Sequence, residues 1–64
     1  MTAVEWMASR GDALDHCIAM QILILPDTEA GKMARDVVVR SWSARFAHAC
    51  AEAGMETMKK ELGV

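Results

Sequence analysis

The residues in this sequence with the most reactive side chains are two pairs, His16 with Cys17 and His48 with Cys50. Imidazole and thiolate groups are the usual ligands of structural zinc, and on a helix two ligands must be three or four residues apart to share a face. His48 and Cys50 are separated by ~200° around a helix, and His16 and Cys17 by ~100°. We therefore predict no metal site, and we interpret both cysteines as reduced, small apolar side chains.

A hydrolytic site would need a serine, threonine or cysteine beside a base. Ser41 and His48 lie on nearly the same helix face, but two turns of helix would hold them more than ~10 Å apart. No acidic residue is spaced to orient the histidine, and the sequence has no glycine-rich phosphate loop. The sequence therefore predicts a protein that is not an enzyme and uses no cofactor.

Basic side chains offer a different chemistry, the binding of an anion. Arg35, Arg40 and Arg45 are five residues apart, so they wind around a helix and form no stripe. Lys32 and Arg40 remain candidates for anion contacts at an oligomer interface. The formal net charge is −2, with seven Lys or Arg among nine Asp or Glu. This balance lacks the basic stripe of a nucleic-acid binder, so we predict no nucleic-acid partner.

Aromatic side chains are the strongest candidates for binding a protein partner, because they dominate interface energies. Trp42 and Phe46 are one helical turn apart. The residues predicted to form a partner-binding or oligomer interface are Val38, Val39, Trp42, Phe46, Ala49, Met55 and Met58. The other interpretation of the aromatic pair is packing inside the core or a dimer.

Helix-start signals mark the first of the elements that must position these residues. Thr2 and Glu5 have the spacing of a capping box, in which two side chains satisfy backbone amides at a helix start. Gly11 interrupts the helix that follows, and an acidic residue directly after it can cap a fresh start. We predict a first arm that is either kinked at Gly11 or split there, into helices at about 3–10 and about 12–25.

Pro26 ends this arm, because the residue before a proline is pushed out of the α region. Asp27 or Thr28 can then cap the next helix. Such a short connection makes two helices antiparallel neighbours. The apolar segment 21–25 also permits a β-strand, but the sequence holds no second strand to pair with it.

The second arm has a continuous helical pattern from Thr28 to about Leu62. It carries two apolar stripes on roughly opposite sides. The smooth stripe consists of Met33, Val37, Ala44, Ala47, Ala51, Met55, Met58 and Leu62. The bulky stripe consists of Val38, Val39, Trp42, Phe46, Ala49, Cys50 and Ala53. A helix that is apolar on two sides needs two partners.

The two arms also differ in length, at ~36 Å for the first and ~52 Å for the second. The overhang of the second arm, roughly residues 49–62, would be bare in a monomer. A chain of 64 residues also makes only a marginal core by itself. We therefore predict an all-α fold, a single domain over residues 1–64, built as an antiparallel helical hairpin that pairs into a homodimeric helical bundle.

The longest run without a formal charge, from Cys17 to Pro26, is about half of what a membrane span requires. No basic, apolar leader with a cleavage site is visible at the start of the sequence. We expect a cytoplasmic protein that has no membrane contact.

In size and layout the chain resembles dimeric helical-hairpin regulators of the Rop type and the short accessory proteins that bacteriophages use to inhibit host factors. The segment around Pro26, Asp27 and Thr28 also resembles the turn of helical phage proteins that sequester cyclic-nucleotide signals. The resemblance to the accessory proteins implies a protein-binding inhibitor or regulator that covers the surface of a larger host or cellular protein as a homo-oligomer. The alternatives are an oligomeric sponge for a small anionic ligand such as a signalling nucleotide, and a structural or assembly factor.

Overall fold

The structure is a computed structural model that describes residues 1–63. Its elements are four helices, α1 (Ala3–Ser9), α2 (Ala13–Leu23), α3 (Glu29–Ser41) and α4 (Ser43–Glu61). The predicted all-α class is confirmed. The β-strand alternative for residues 21–25 is wrong, because α2 runs into this segment and no strand occurs among residues 1–63.

Reciprocal capping boxes define the starts of α1 and α2. The Thr2 hydroxyl accepts from the Glu5 amide at 3.2 Å, and the Glu5 carboxylate accepts from the Thr2 amide at 3.3 Å. Asp12 and Asp15 make the same pair of bonds at 2.8 and 3.2 Å. These bonds satisfy amides that have no partner inside the helix. The first arm is therefore split at Gly11, which is one of the two predicted forms.

The connection to α3 is capped by Thr28, whose hydroxyl accepts from the Gly31 amide at 3.1 Å. Gly31 is buried, and a side chain there would collide with the carbonyl oxygen of Pro26. A glycine is needed at this position because the chain passes so close to it.

The second arm is not one continuous helix, so this part of the prediction is wrong. It breaks at Trp42, which has φ −120° and ψ 34°. The break lasts one residue, since the Trp42 amide still donates to the Val38 carbonyl and its own carbonyl accepts from the Phe46 amide, both at 3.1 Å. The Ser41 hydroxyl donates to the Val37 carbonyl at 2.7 Å, a contact that often bends helices. The molecule is accordingly 40 Å long.

The core lies where α1 packs against both α2 and α4. Its buried cluster consists of Met7, Ile18, Ala19, Ile22, Phe46 and Ala49. α1 contributes Met7, which is fully buried. Because α1 packs on both α2 and α4, it holds the first arm against the second. Within residues 1–63, no helix combines the length and the apolar character that crossing a membrane would require.

Candidate interaction surface

The inner face of α4 is buried against the rest of the chain. Phe46 is 7% exposed, Ala49 is 0% exposed and Ala53 is 2% exposed. These residues belong to the bulky stripe, and Val38 and Val39 of the same stripe are half-buried against the core. The first arm therefore covers most of the bulky stripe, while Trp42 and Cys50 remain exposed.

The smooth stripe is exposed along its whole length. We define the outer α4 face as the residues Ala44, Ala47, Ala51, Gly54, Met55, Met58 and Leu62, all of them exposed. The three largest of these side chains, Met55, Met58 and Leu62, are 51%, 60% and 71% exposed. Large apolar side chains in a row on one helix face are typical of a surface that pairs with another element.

A second exposed apolar surface lies on α2. We define the outer α2 face as Leu14, Cys17, Met20, Leu23 and Ile24, which are all exposed. Leu23 is 58% exposed and Ile24 is 76% exposed. The opposite side of α2 contributes Ile18 and Ile22 to the core. A helix that is apolar on all sides is normally buried on all sides, so α2 lacks part of its cover.

The seven residues predicted to form a single interface lie in different parts of the structure, some in the core and some on the surface. Phe46 and Ala49 belong to the core, and Val38 and Val39 lean on it. Trp42 is 38% exposed at the break between α3 and α4.

Only Met55 and Met58, the remaining two of those seven, lie on a fully uncovered face. The structure therefore does not bring the seven together as one surface. That set lacked Ala44, Ala47 and Ala51, which belong to the smooth stripe and form the first half of the outer α4 face. The two-stripe pattern was the signal that could have found them.

The two candidates for anion contacts are not brought together either. The Lys32 ammonium lies 3.9 Å from the Glu29 carboxylate, and the Arg40 guanidinium lies 3.0 Å from the Asp36 carboxylate. Lys32 and Arg40 are two turns apart on α3, a rise of ~12 Å. Each cation has an acidic neighbour on its own helix, so Lys32 and Arg40 do not form a shared basic pocket.

The histidines and the serine considered above have structural partners. The His16 Nδ1 atom is 3.0 Å from the Ala8 carbonyl oxygen, and the His48 ring meets Trp6 edge-on with ring centroids 5.5 Å apart. Cys17 and Cys50 are free and exposed, so the interpretation of both as packed apolar side chains is wrong. In the part of the chain that the structure describes, no three His, Cys, Asp or Glu side chains are grouped to hold a metal ion.

The most concentrated set of charges is an ionic cluster of Asp12, Asp15 and Arg45. One guanidinium nitrogen of Arg45 donates to both carboxylate oxygens of Asp12, at 3.0 and 3.1 Å, and to Asp15 at 2.8 Å. Asp15 is only 7% exposed. The hydrogen bond from the Asp15 amide, together with the Arg45 guanidinium, lowers the pKa of Asp12 below its ordinary value of 3.8.

This ionic cluster joins α4 to the corner between α1 and α2. Gly11 lies at that corner, and a Cβ there would stand 2.9 Å from the Met7 carbonyl oxygen. A shallow cavity of about 420 Å³ opens beside the cluster and includes Arg10 and His48 in its lining. Arg10 is already paired with Glu56 at 3.0 Å. Since the charged groups around the cavity pair with each other, the arrangement is suited to holding helices together.

The chain has no significant match among protein-family models, curated proteins or solved structures.

Proposed function

We propose that this chain is a non-enzymatic protein-binding module that works as a homo-oligomer and inhibits or regulates a larger protein by covering part of its surface. The phage accessory inhibitors that it resembles in size and layout are expected to work in this way. In this proposal the α1–α2 arm and the α3–α4 arm are the two sides of a helical hairpin within a homodimeric bundle. The observation that carries the proposal is the pair of uncovered apolar faces on α2 and α4.

The energy available at these faces supports binding. Met55, Met58 and Leu62 are 51–71% exposed, so covering each of them contributes ~1 kcal/mol or more. A chain of 64 residues has few other sources of stability, and oligomerisation is one of the usual ones. Cys17 and Cys50, free and exposed, are compatible with the reducing conditions of the cytoplasm.

Two faces favour two different occupants. On each helix the exposed apolar residues lie opposite the residues that enter the core. We therefore assign a second copy of the chain to one face and the larger protein to the other. The outer α2 face suits the larger protein, because its bulky Met20, Leu23 and Ile24 side chains can fill pockets on a partner.

Purification from the native host, followed by variants of the outer α2 face, tests this proposal. We expect a protein partner in a fixed stoichiometry, and its loss in the double variant Met20→Glu, Ile24→Glu with helix content and oligomer mass unchanged. Met33→Glu, Val37→Glu is the matched control, because it adds the same two charges, four residues apart, at exposed apolar positions of α3 that lie outside both faces. This control variant should retain the partner.

Other outcomes contradict the proposal. Retention of the partner by the double variant would exclude the outer α2 face as the binding surface. A nucleotide released by heat denaturation of the purified protein, with no protein partner, would favour the sponge instead. A compact monomer at every concentration in light scattering would overturn the homo-oligomer.

A further inference from the structure

We infer that the outer α4 face is the surface on which two copies of this chain pair, with their α4 helices antiparallel. This inference rests on the proposed homo-oligomeric function and identifies its interface. It follows from the order of side-chain sizes along the face, from a glycine that the single chain does not need, and from the area and charge of the face.

Side-chain size along the outer α4 face changes from small to large. The first half carries Ala44, Ala47 and Ala51, and the second half carries large side chains such as Met55 and Leu62. If a second copy is placed antiparallel, with the symmetry axis near residue 53, Met55 of one copy lies over Ala51 of the other. Leu62 then lies over Ala44. A parallel pair would set large side chains against each other at one end and leave a gap at the other, which close packing disfavours.

Gly54 lies near the middle of this face and is exposed. Glycine is among the least favourable residues in a helix interior, and the φ angle of Gly54 is not positive. Apart from the two neighbouring residues and the backbone of the same helix, no atom of the chain lies within 4 Å of the place where a Cβ would stand. Nothing within the single chain therefore requires a glycine here. A second helix that crosses at this point would require a small residue, because its backbone comes close.

The area of the face is sufficient for a weak dimer. The helix has 19 residues, so it is ~28 Å long with a diameter of ~12 Å, and half of its curved surface is ~500 Å². Two copies would therefore bury at most about 1,000 Å² in total. That value is near the lower limit for a specific interface. We therefore expect a weak, reversible dimer whose fraction rises with protein concentration.

The charges at the two ends of α4 suit an antiparallel pair. No formally charged residue lies within the face from Ala44 to Leu62. The first turn of α4 has no acidic residue and no side-chain cap. An antiparallel copy places its Glu61 beside Ser43, so it brings a carboxylate to a turn of α4 that has no acidic residue of its own.

Directed disulfide formation tests the orientation of the pair. In a background of Cys17→Ser and Cys50→Ser, one chain carries Ala47→Cys and another, with a mass tag, carries Met58→Cys. We expect mild oxidation to join the two different chains at least ten times faster than it joins two identical chains. Faster joining of identical chains at both positions would indicate a parallel pair and overturn the inference.

A matched pair of variants tests the location of the interface. Met58→Glu should weaken the dimer at least tenfold in analytical ultracentrifugation without loss of helix content. Met20→Glu, the same change on the outer α2 face, should leave the dimer unchanged. If Met20→Glu abolishes the dimer and Met58→Glu does not, the inference fails while the homo-oligomer stands. If the unmodified chain is monomeric at every concentration, both fail.

Discussion

The inner and outer faces of α4 are both apolar, but one is buried and the other is uncovered. Phe46 on the inner face is 7% exposed, whereas Met58 on the outer face is 60% exposed. The reason lies in α1, which has seven residues and occupies one side of α4 alone. The apolar pattern of the α4 sequence shows that two of its faces favour burial. The rest of the chain is long enough to bury only one of these faces, so the other remains exposed to solvent.

The ionic cluster helps to decide which face of α4 points inward. Arg45 precedes Phe46 on the inner side and donates to Asp12 and Asp15 at the corner between α1 and α2. Rotation of α4 by half a turn would bury Met58 but would leave the nearly buried Asp15 without its cation, which is costly. Phe46 and Arg45 thus favour the same orientation.

The largest difference between the two faces should appear when each loses its large side chain. We expect Phe46→Ala to lower the free energy of unfolding by about 3–5 kcal/mol, because it leaves a cavity in the core. A domain of this size has a total stability of about 3–10 kcal/mol, so much of the protein would be unfolded. Urea denaturation measured by circular dichroism at low protein concentration gives the value.

Met58→Ala is the matched control on the outer face of the same helix. At protein concentrations too low for dimer formation, it should change the free energy of unfolding by no more than about 0.5 kcal/mol. A loss of several kcal/mol in this variant would mean that the outer face is covered within the monomer. Equal losses in both variants would remove the distinction between the faces.

A second, smaller effect on stability should distinguish the capping box of α2, which also binds Arg45, from the capping box of α1, which does not. Asp15→Ala should cost about 2 kcal/mol, because it removes a helix cap and leaves Arg45 without its nearly buried partner. Glu5→Ala removes the corresponding residue of the exposed capping box of α1, and it should cost about 1 kcal/mol or less. Urea midpoints of the two variants measure the difference. Equal midpoints would show that the contact with Arg45 adds nothing.

Local signals in the sequence predicted much of this fold. The capping box of Thr2 and Glu5 located the start of α1, and Gly11 with Asp12 located the point at which the first arm is kinked or split. Both signals are local, because short-range hydrogen bonds and the lack of a side chain act within a few residues. The two stripes of the second arm were likewise recognised, since burial follows the helical period. The all-α class follows from these patterns.

Contacts between distant segments were not predictable in the same way. The break at Trp42 has no glycine or proline to mark it. It lies between α3 and α4, where Val38 and Val39 before it and Phe46 after it all pack at the core, which is a tertiary effect. Arg45 looked like one of three evenly spaced surface arginines, because its acidic partners lie 30 and 33 residues away in the chain. Which stripe would remain exposed depended on the same long-range packing.

Glycine-to-alanine substitutions should change the free energy of unfolding in opposite directions on the outer α4 face and at the ionic cluster. Gly54→Ala on the outer face should stabilise the monomer by up to about 1 kcal/mol, because alanine favours the helix and, apart from its two neighbours and the helix backbone, no atom of the chain is within 4 Å of its Cβ. Gly11→Ala, at the ionic cluster, should destabilise it, because the new Cβ would stand 2.5 Å from the Asp15 Cβ. Thermal unfolding of dilute samples compares them. Destabilisation by Gly54→Ala would show that the monomer already encloses this face.

The smallest expected effect is an acid sensitivity confined to the ionic cluster. The pKa of Asp12 is lowered below 3.8 by the Asp15 amide and by Arg45. A lowered pKa in the folded state means that this carboxylate stabilises the fold fully above about pH 4, and that the contribution is lost as the pH falls through the lowered value. The effect is small because Asp12 is exposed to solvent, which screens its charge.

Asp12→Asn isolates this contribution, because asparagine also caps a helix but has no charge to titrate. We expect the variant to be less stable than the unmodified chain at neutral pH, and the two urea midpoints to converge as the pH falls below about 4 and through the lowered pKa of Asp12. Converging curves would locate the acid sensitivity in the cluster that holds the inner face in place. Parallel curves over the same range would mean that the charge of Asp12 does not contribute to stability, and that Asp15 is the only carboxylate of the cluster through which Arg45 helps to orient α4.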